Sequence, residues 1–148
     1  MRSVALIMTL LLVGCRSGAP GETSGAAIYA RRCAACHQSS GKGMGGSFPP
    51  LVGSRWLLED PGTPVRIVLA GVQGKIDVNG TSFDNAMPGL GVVLGDAEVA
   101  AVLTYARSAW GNQAAAVTAE AVARERKASA ARAQPWSAAS LEEARRTP

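Results

Sequence analysis

Cys33-Ala34-Ala35-Cys36-His37 decides how this chain is read. Two thiols in this spacing, followed directly by an imidazole, form the pattern that attaches a c-type haem. Each sulfur closes a thioether to one vinyl group, and the adjacent histidine offers a nitrogen to the iron. A redox dithiol would ask for a preceding strand and a βαβ setting, whereas the flank from Ser24 to Arg32 is alanine-rich and reads as helix. A zinc site would need four ligands, and beyond these five residues the chain offers only Cys15 and no second histidine. The expectation is one covalent haem on Cys33 and Cys36, with His37 on its iron.

Upstream, Arg2 precedes an apolar run from Val4 to Val13 that ends in Leu12-Val13-Gly14-Cys15. This pattern is a secretory signal whose apolar core is too short to span a bilayer comfortably. Small residues directly before a cysteine resemble a bacterial lipobox, in which cleavage leaves Cys15 to be lipidated. Ordinary signal cleavage near Ala19, discarding Cys15, is the alternative. Acyl chains at Cys15 would hold the domain at a membrane surface without inserting it. The expected location is therefore the periplasmic side of a bacterial membrane, lipid-anchored, or soluble periplasmic under the other cleavage. The three cysteines are thereby assigned, two to haem and one to lipid, and no disulfide framework remains.

A chain of 148 residues has room for one small domain and its appendages. Aromatic residues make up only 5%, low for a self-sufficient core, and a buried haem would supply the missing apolar volume. The net charge of +4 does not point to a polyanionic partner. Between Glu22 and Asn112 seven basic and seven acidic residues cancel, and the excess lies in Arg2, Arg16 and the C-terminal segment. No basic patch interleaved with aromatics supports nucleic-acid binding. The organisation read from the chain is residues 1–14 as signal, 15–22 as a lipidated tether, 23–112 as the haem domain and 113–148 as a helical C-terminal extension. Within the extension, an Ala-rich charged helix runs from about Thr118 to Arg132 and Pro135 stops it. No internal repeat accompanies the single motif.

Inside the haem domain, Ser24 is a good N-cap, and Gly25, Ile28 and Tyr29 continue at helical spacing onto Cys33 and Cys36. Val99, Val102, Leu103, Ala106 and Trp110 predict an amphipathic last helix, with Asp96 and Glu98 placed favourably for its dipole. Thr63-Pro64 reads as N-cap and first position of a middle helix carrying Val65, Val68, Leu69 and Val72, closed by Gly74. Alternation nowhere lasts long enough for a sheet, although Gly71 to Phe83 could hold a hairpin.

Taken together, the haem motif and these helices resemble the class I monohaem cytochromes c, in a bacterial lipoprotein form, over roughly Glu22 to Asn112. The resemblance implies an all-α fold, three to four helices wrapped around one haem c, with a C-terminal helical extension added. It implies that Gly25 and Tyr29 meet Tyr105 where the first and last helices cross. It also implies haem attachment outside the cytoplasmic membrane. A six-coordinate iron needs a ligand opposite His37. Without another histidine a thioether is the natural candidate, and Met1 and Met8 leave with the signal. Met44 sits close after His37 in a Gly-rich loop, whereas Met87-Pro88-Gly89 resembles the axial-methionine loop of the family. Phe48-Pro49-Pro50-Leu51-Val52-Gly53 resembles the family's Pro-x-Leu-x-Gly stretch. By that likeness the Pro49 carbonyl accepts a hydrogen bond from His37, Leu51 packs on the porphyrin, and Trp56 reaches a propionate or serves as wall.

The function implied is one-electron transfer between periplasmic or membrane-associated redox partners, as a carrier that catalyses no reaction. Two alternatives stay open. The segment from Val117 through Gln134-Pro135-Trp136-Ser137 is similar to tails on cytochrome domains associated with quinoprotein-type dehydrogenases, which would make the chain a dedicated subunit. A haem sensor or peroxidase-like enzyme would require an open iron position, with Met87 off the metal.

Overall fold

A computed structural model describes residues 23–146; the expected signal and Cys15 lie outside the described residues. The chain forms α1 (Gly25–Arg32), α2 (Ala34–His37), α3 (Arg55–Leu58) and α4 (Gly62–Ala70), then four short strands. These are β1 (Gly71–Val72), β2 (Ile76–Val78), β3 (Thr81–Phe83) and β4 (Met87–Pro88), followed by α5 (Asp96–Ser108), α6 (Ala119–Ala128) and α7 (Ala138–Arg146). The fold is the small, mostly helical one expected from the sequence.

Its frame is the crossing of α1 on α5. Ser24 caps α1 by accepting from the Ala27 amide at 3.2 Å. Gly25 then passes so close to α5 that a β-carbon there would stand 2.1 Å from the Ala101 carbonyl oxygen. One turn on, buried Tyr29 packs its ring 5.5 Å from Tyr105 and 5.0 Å from Trp110, so three aromatics fill the crossing. Trp110 departs from the helical reading: α5 ends at Ser108, and Trp110 adopts a left-handed φ of 56° beyond it. Its indole N–H donates to the Ser39 carbonyl at 2.9 Å, fastening the end of α5 to the loop after the haem motif.

The middle helix also differs from expectation at both ends. It starts at Gly62, not after Thr63, because Asp60 supplies the capping carboxylate. That carboxylate accepts from the Gly62 and Thr63 amides at 3.1 and 2.9 Å and from Thr63 Oγ1 at 2.7 Å. Pro64 consequently falls inside the first turn, where a missing N–H costs nothing. The helix stops at Ala70 rather than near Gly74. Gly71 takes φ +81° and runs against β4, where a β-carbon would stand 2.4 Å from the Met87 carbonyl oxygen.

Burial pushes the Asp60 carboxyl up, but the hydrogen bonds from Thr63 and Gly62 and the nearby Arg66 outweigh it and hold it below its ordinary value. A carboxyl depressed in the folded state stabilises above its unfolded pKa and loses that contribution as pH falls through the folded one. Asp60→Ala is therefore expected to cost about 1 kcal/mol at neutral pH, and the gap should narrow as pH falls well below ~4, where the protonated carboxyl caps only as a neutral acceptor. Thermal unfolding of both proteins across that range measures it; a gap absent at neutral pH, or one that widens as pH falls, would sink the cap.

β1 pairs antiparallel with β4, Val72 opposite Met87, and β2 pairs with β3 in the hairpin region foreseen between Gly71 and Phe83. Asn79 and Gly80, both at positive φ, make its tight turn. Two apolar clusters result. One gathers Ile28, Tyr29, Leu57, Val65, Val99, Leu103 and Val122. The other gathers Trp56, Val72, Ile76, Val78, Phe83, Trp136 and Leu141, and Met87 packs against both.

The C-terminal extension folds back on the domain. α6 is shorter than read from the sequence, ending at Ala128, and α7 occupies the stretch past Pro135. Val122 and Leu141 are fully buried. Arg66 makes two bonds to Glu125, at 2.8 and 2.9 Å, and Arg126 binds Asp96 at 2.7 Å, tying α6 to α4 and to the start of α5.

Candidate haem site

Cys33 breaks the helix (φ −121°), and the short α2 turns the two thiols and His37 toward a common cavity. Its walls are almost wholly apolar, from Leu51, Trp56, Leu57, Val68, Phe83, Met87 and Leu103 among others, around about 1140 Å³ of empty space, open mouth included. An apolar cleft of this kind, with a few polar groups at its edge, suits a large flat apolar group.

His37 is 9% exposed, and its Nδ1 lies 3.0 Å from the Pro49 carbonyl oxygen. A carbonyl only accepts, so Nδ1 carries the proton and the Nε2 lone pair is left for a metal. Burial lowers the pKa of the ring, although the Pro49 bond acts in the opposite sense. The imidazole is therefore neutral at physiological pH, the form that ligates. Burial, with Cys36 adding to it, pushes the Cys33 thiol up to about 11. It is therefore a neutral thiol at physiological pH.

The loop that carries Pro49 and Leu51 is held by a residue that sequence reasoning missed. Buried Asn112, just past α5, accepts from the Gly53 amide at 3.0 Å and donates to the carbonyls of Leu51 (3.3 Å) and Ala106 (2.9 Å). Nothing local marks it, since an asparagine after a helix ordinarily reads as a cap or turn residue.

The two methionines part company. Met44 is 48% exposed in a loop bridged to Phe48 and lines none of this cavity, whereas Met87 does line it. Main-chain bonds from Leu90 to Val68 (2.7 Å) and from Gly91 to Leu69 (3.1 Å) anchor the Met87 loop to the end of α4. Trp56 forms cavity wall, but its indole N–H departs from the propionate role: it donates to the Asp77 carbonyl at 2.7 Å, joining α3 to β2. Cys15 lies outside the described residues.

Two thiols, a neutral imidazole with one free nitrogen and a thioether around one apolar cavity fit a covalently held haem. The same donors suit a metal centre only through that group, since among the described residues no cluster of three or more His, Cys, Asp or Glu could hold a bare ion.

Comparison with known proteins gives consistent findings. The cytochrome c family model matches residues 23–110. The chain is 39% identical over 110 residues to cytochrome c-552 of Thermus thermophilus, covering 72% of each protein. It is 36% identical over 91 residues to the cytochrome c subunit of the quinone-type alcohol dehydrogenase of Gluconobacter oxydans, covering 62% of this chain and 19% of that one. A gluconate 2-dehydrogenase cytochrome c subunit of Pantoea cypripedii is 38% identical over 111 residues, covering 70% and 24%.

Proposed function

Since this chain belongs to the cytochrome c family, carrying electrons on covalently bound haem c, we propose that it does so with His37 and Met87 as the two axial ligands. The observation that carries this reading is that Cys33, Cys36, His37 and Met87 together line one apolar cavity. When bound, the haem supplies reversible one-electron exchange at its iron. The chain's own residues set the conditions. The Pro49 carbonyl fixes the tautomer and plane of His37 and makes it a better donor. The Met87 thioether, neutral and soft, favours the reduced form and so raises the potential. The apolar walls keep water from the centre.

A second reading, a dedicated subunit of a dehydrogenase, draws on the relatives that bear such names. The extension argues for the free carrier instead. Val122 and Leu141 point into the chain's own core, so α6 and α7 have spent their apolar positions internally rather than keeping them for a partner.

The optical spectra of the ferric and ferrous protein, with carbon monoxide added to the latter, test the ligation. A low-spin protein that resists the gas is expected. Ready binding would remove Met87 from the iron and bring forward the sensor or enzyme reading.

Cellular placement belongs to the same proposal: lipid at Cys15 holds the domain at the periplasmic face of a bacterial membrane. The apolar run before Cys15 and the small Gly14 support it. Cys15→Ser is expected to move the protein from the membrane fraction to the soluble one; a variant that stays membrane-bound would exclude the anchor.

A further inference from the structure

We propose that Trp136 is a positioning residue for Met87, and that the C-terminal extension acts as a strap keeping this side chain at the haem cavity. The proposal rests on the assignment of Met87 as a ligand. Its first support is main-chain geometry. The Trp136 amide donates to the Gly71 carbonyl at 2.9 Å, and its carbonyl accepts from the Gln73 amide at 2.8 Å. These bonds bracket Val72, the residue paired with Met87 on the other side. Trp136 thus adds a one-residue parallel bridge beside β1, and β1 stands between it and β4.

The need for this added bridge follows from length. β1 and β4 are two residues each, and a ribbon that short does not hold itself together in water. Side-chain packing is the second support. Trp136 is 7% exposed in the cluster with Val72, Ile76 and Phe83, and Met87 leans on that cluster. The Arg132 guanidinium covers the outer face of the ring, 3.5 Å from its centroid. The indole N–H is buried without a partner. Apolar bulk, not hydrogen bonding, is therefore what the side chain contributes.

The test is the rate at which carbon monoxide displaces the sixth ligand of the ferrous haem protein, compared with Met87→Ala as the open reference. Trp136→Ala should speed displacement roughly tenfold, because the β1–β4 ribbon opens more often. Trp136→Phe should stay close to wild type, since it keeps the bulk and removes only an unpartnered donor. Val122→Ala, buried on α6 and no part of the Val72–Trp136 bridge, should lower thermal stability while speeding displacement far less than Trp136→Ala. Equal acceleration in Val122→Ala and Trp136→Ala would reduce the tail to general stabilisation and overturn the strap. A wild type as open as Met87→Ala would overturn the ligand assignment, and the strap with it.

Hydrogen exchange on the wild-type haem protein gives a reading that needs no variant. The Gln73 and Trp136 amides should exchange in the same opening as the Leu90 amide of the methionine loop. Free exchange of the first two while Leu90 stays protected would overturn the proposal.

Discussion

Met87→Ala is expected to yield a folded, haem-bearing protein whose ferrous form takes up carbon monoxide at once, with a midpoint potential lower by on the order of 100 mV. The size follows from the axial ligand's role, since ligand identity and its surroundings move haem potentials over about 0.8 V. The protein should survive the change because, under the proposed attachment, thioethers at Cys33 and Cys36 would retain the haem, and because Met87 is only partly buried. Strand β4 itself is kept by main-chain pairing to β1 and by the Leu90 and Gly91 bonds to α4. Met44→Ala is the companion variant. Met44 is exposed and lines no part of the cavity, so its spectrum and potential should match wild type. Redox titration with optical detection decides between the two methionines; a potential that moves in Met44→Ala and not in Met87→Ala would reverse the assignment.

Gly25→Val is expected to have the largest effect on folding, a loss of at least ~3 kcal/mol and with it most of the accumulated haem protein. A new β-carbon would stand 2.1 Å from the Ala101 carbonyl oxygen and 2.8 Å from Tyr105 Cβ. The first of these is backbone, so relief requires α1 and α5 to separate. Overpacking a tight contact costs about 1–3 kcal/mol when side chains can yield, and here they cannot. Separation would also break the Tyr29–Tyr105–Trp110 contacts that seat α1 beside the haem motif. Against a total stability of about 5–15 kcal/mol, that is a large fraction. Gly45→Ala supplies the control, with nothing within 4 Å of its β-carbon position and no left-handed φ; it should unfold within about 0.5 kcal/mol of wild type. Thermal denaturation of the three proteins measures this, and a Gly25→Val protein as stable as wild type would refute the close crossing.

Much of the fold was legible because its signals are local. Ser24 caps α1 through its own side chain, the apolar spacing from Val99 to Ala106 needs only a helix to have meaning, and the Cys33–His37 pattern is contiguous. The misreadings have a common origin in competition between local options. Thr63-Pro64 looked like a helix start, but the Asp60 carboxylate was better placed to cap and took the Thr63 amide and hydroxyl together. Gly74 looked like a helix end, but Gly71 had to take a left-handed φ to pass the Met87 carbonyl. Of the two roles the sequence left open for Trp56, the fold places it in the cavity wall, with its indole N–H donating to the Asp77 carbonyl.

The sequence by itself determined the haem chemistry and the helices that frame it, since thioether spacing, capping and helical period are properties of neighbouring residues. Only the tertiary structure decided the rest. It brought Asn112 under the Pro49–Gly53 loop and Trp136 against β1, and it turned the apolar positions of α6 and α7 inward. These contacts join residues far apart in the chain. Their energy exists only once both partners are folded, so no pattern at either end announces it.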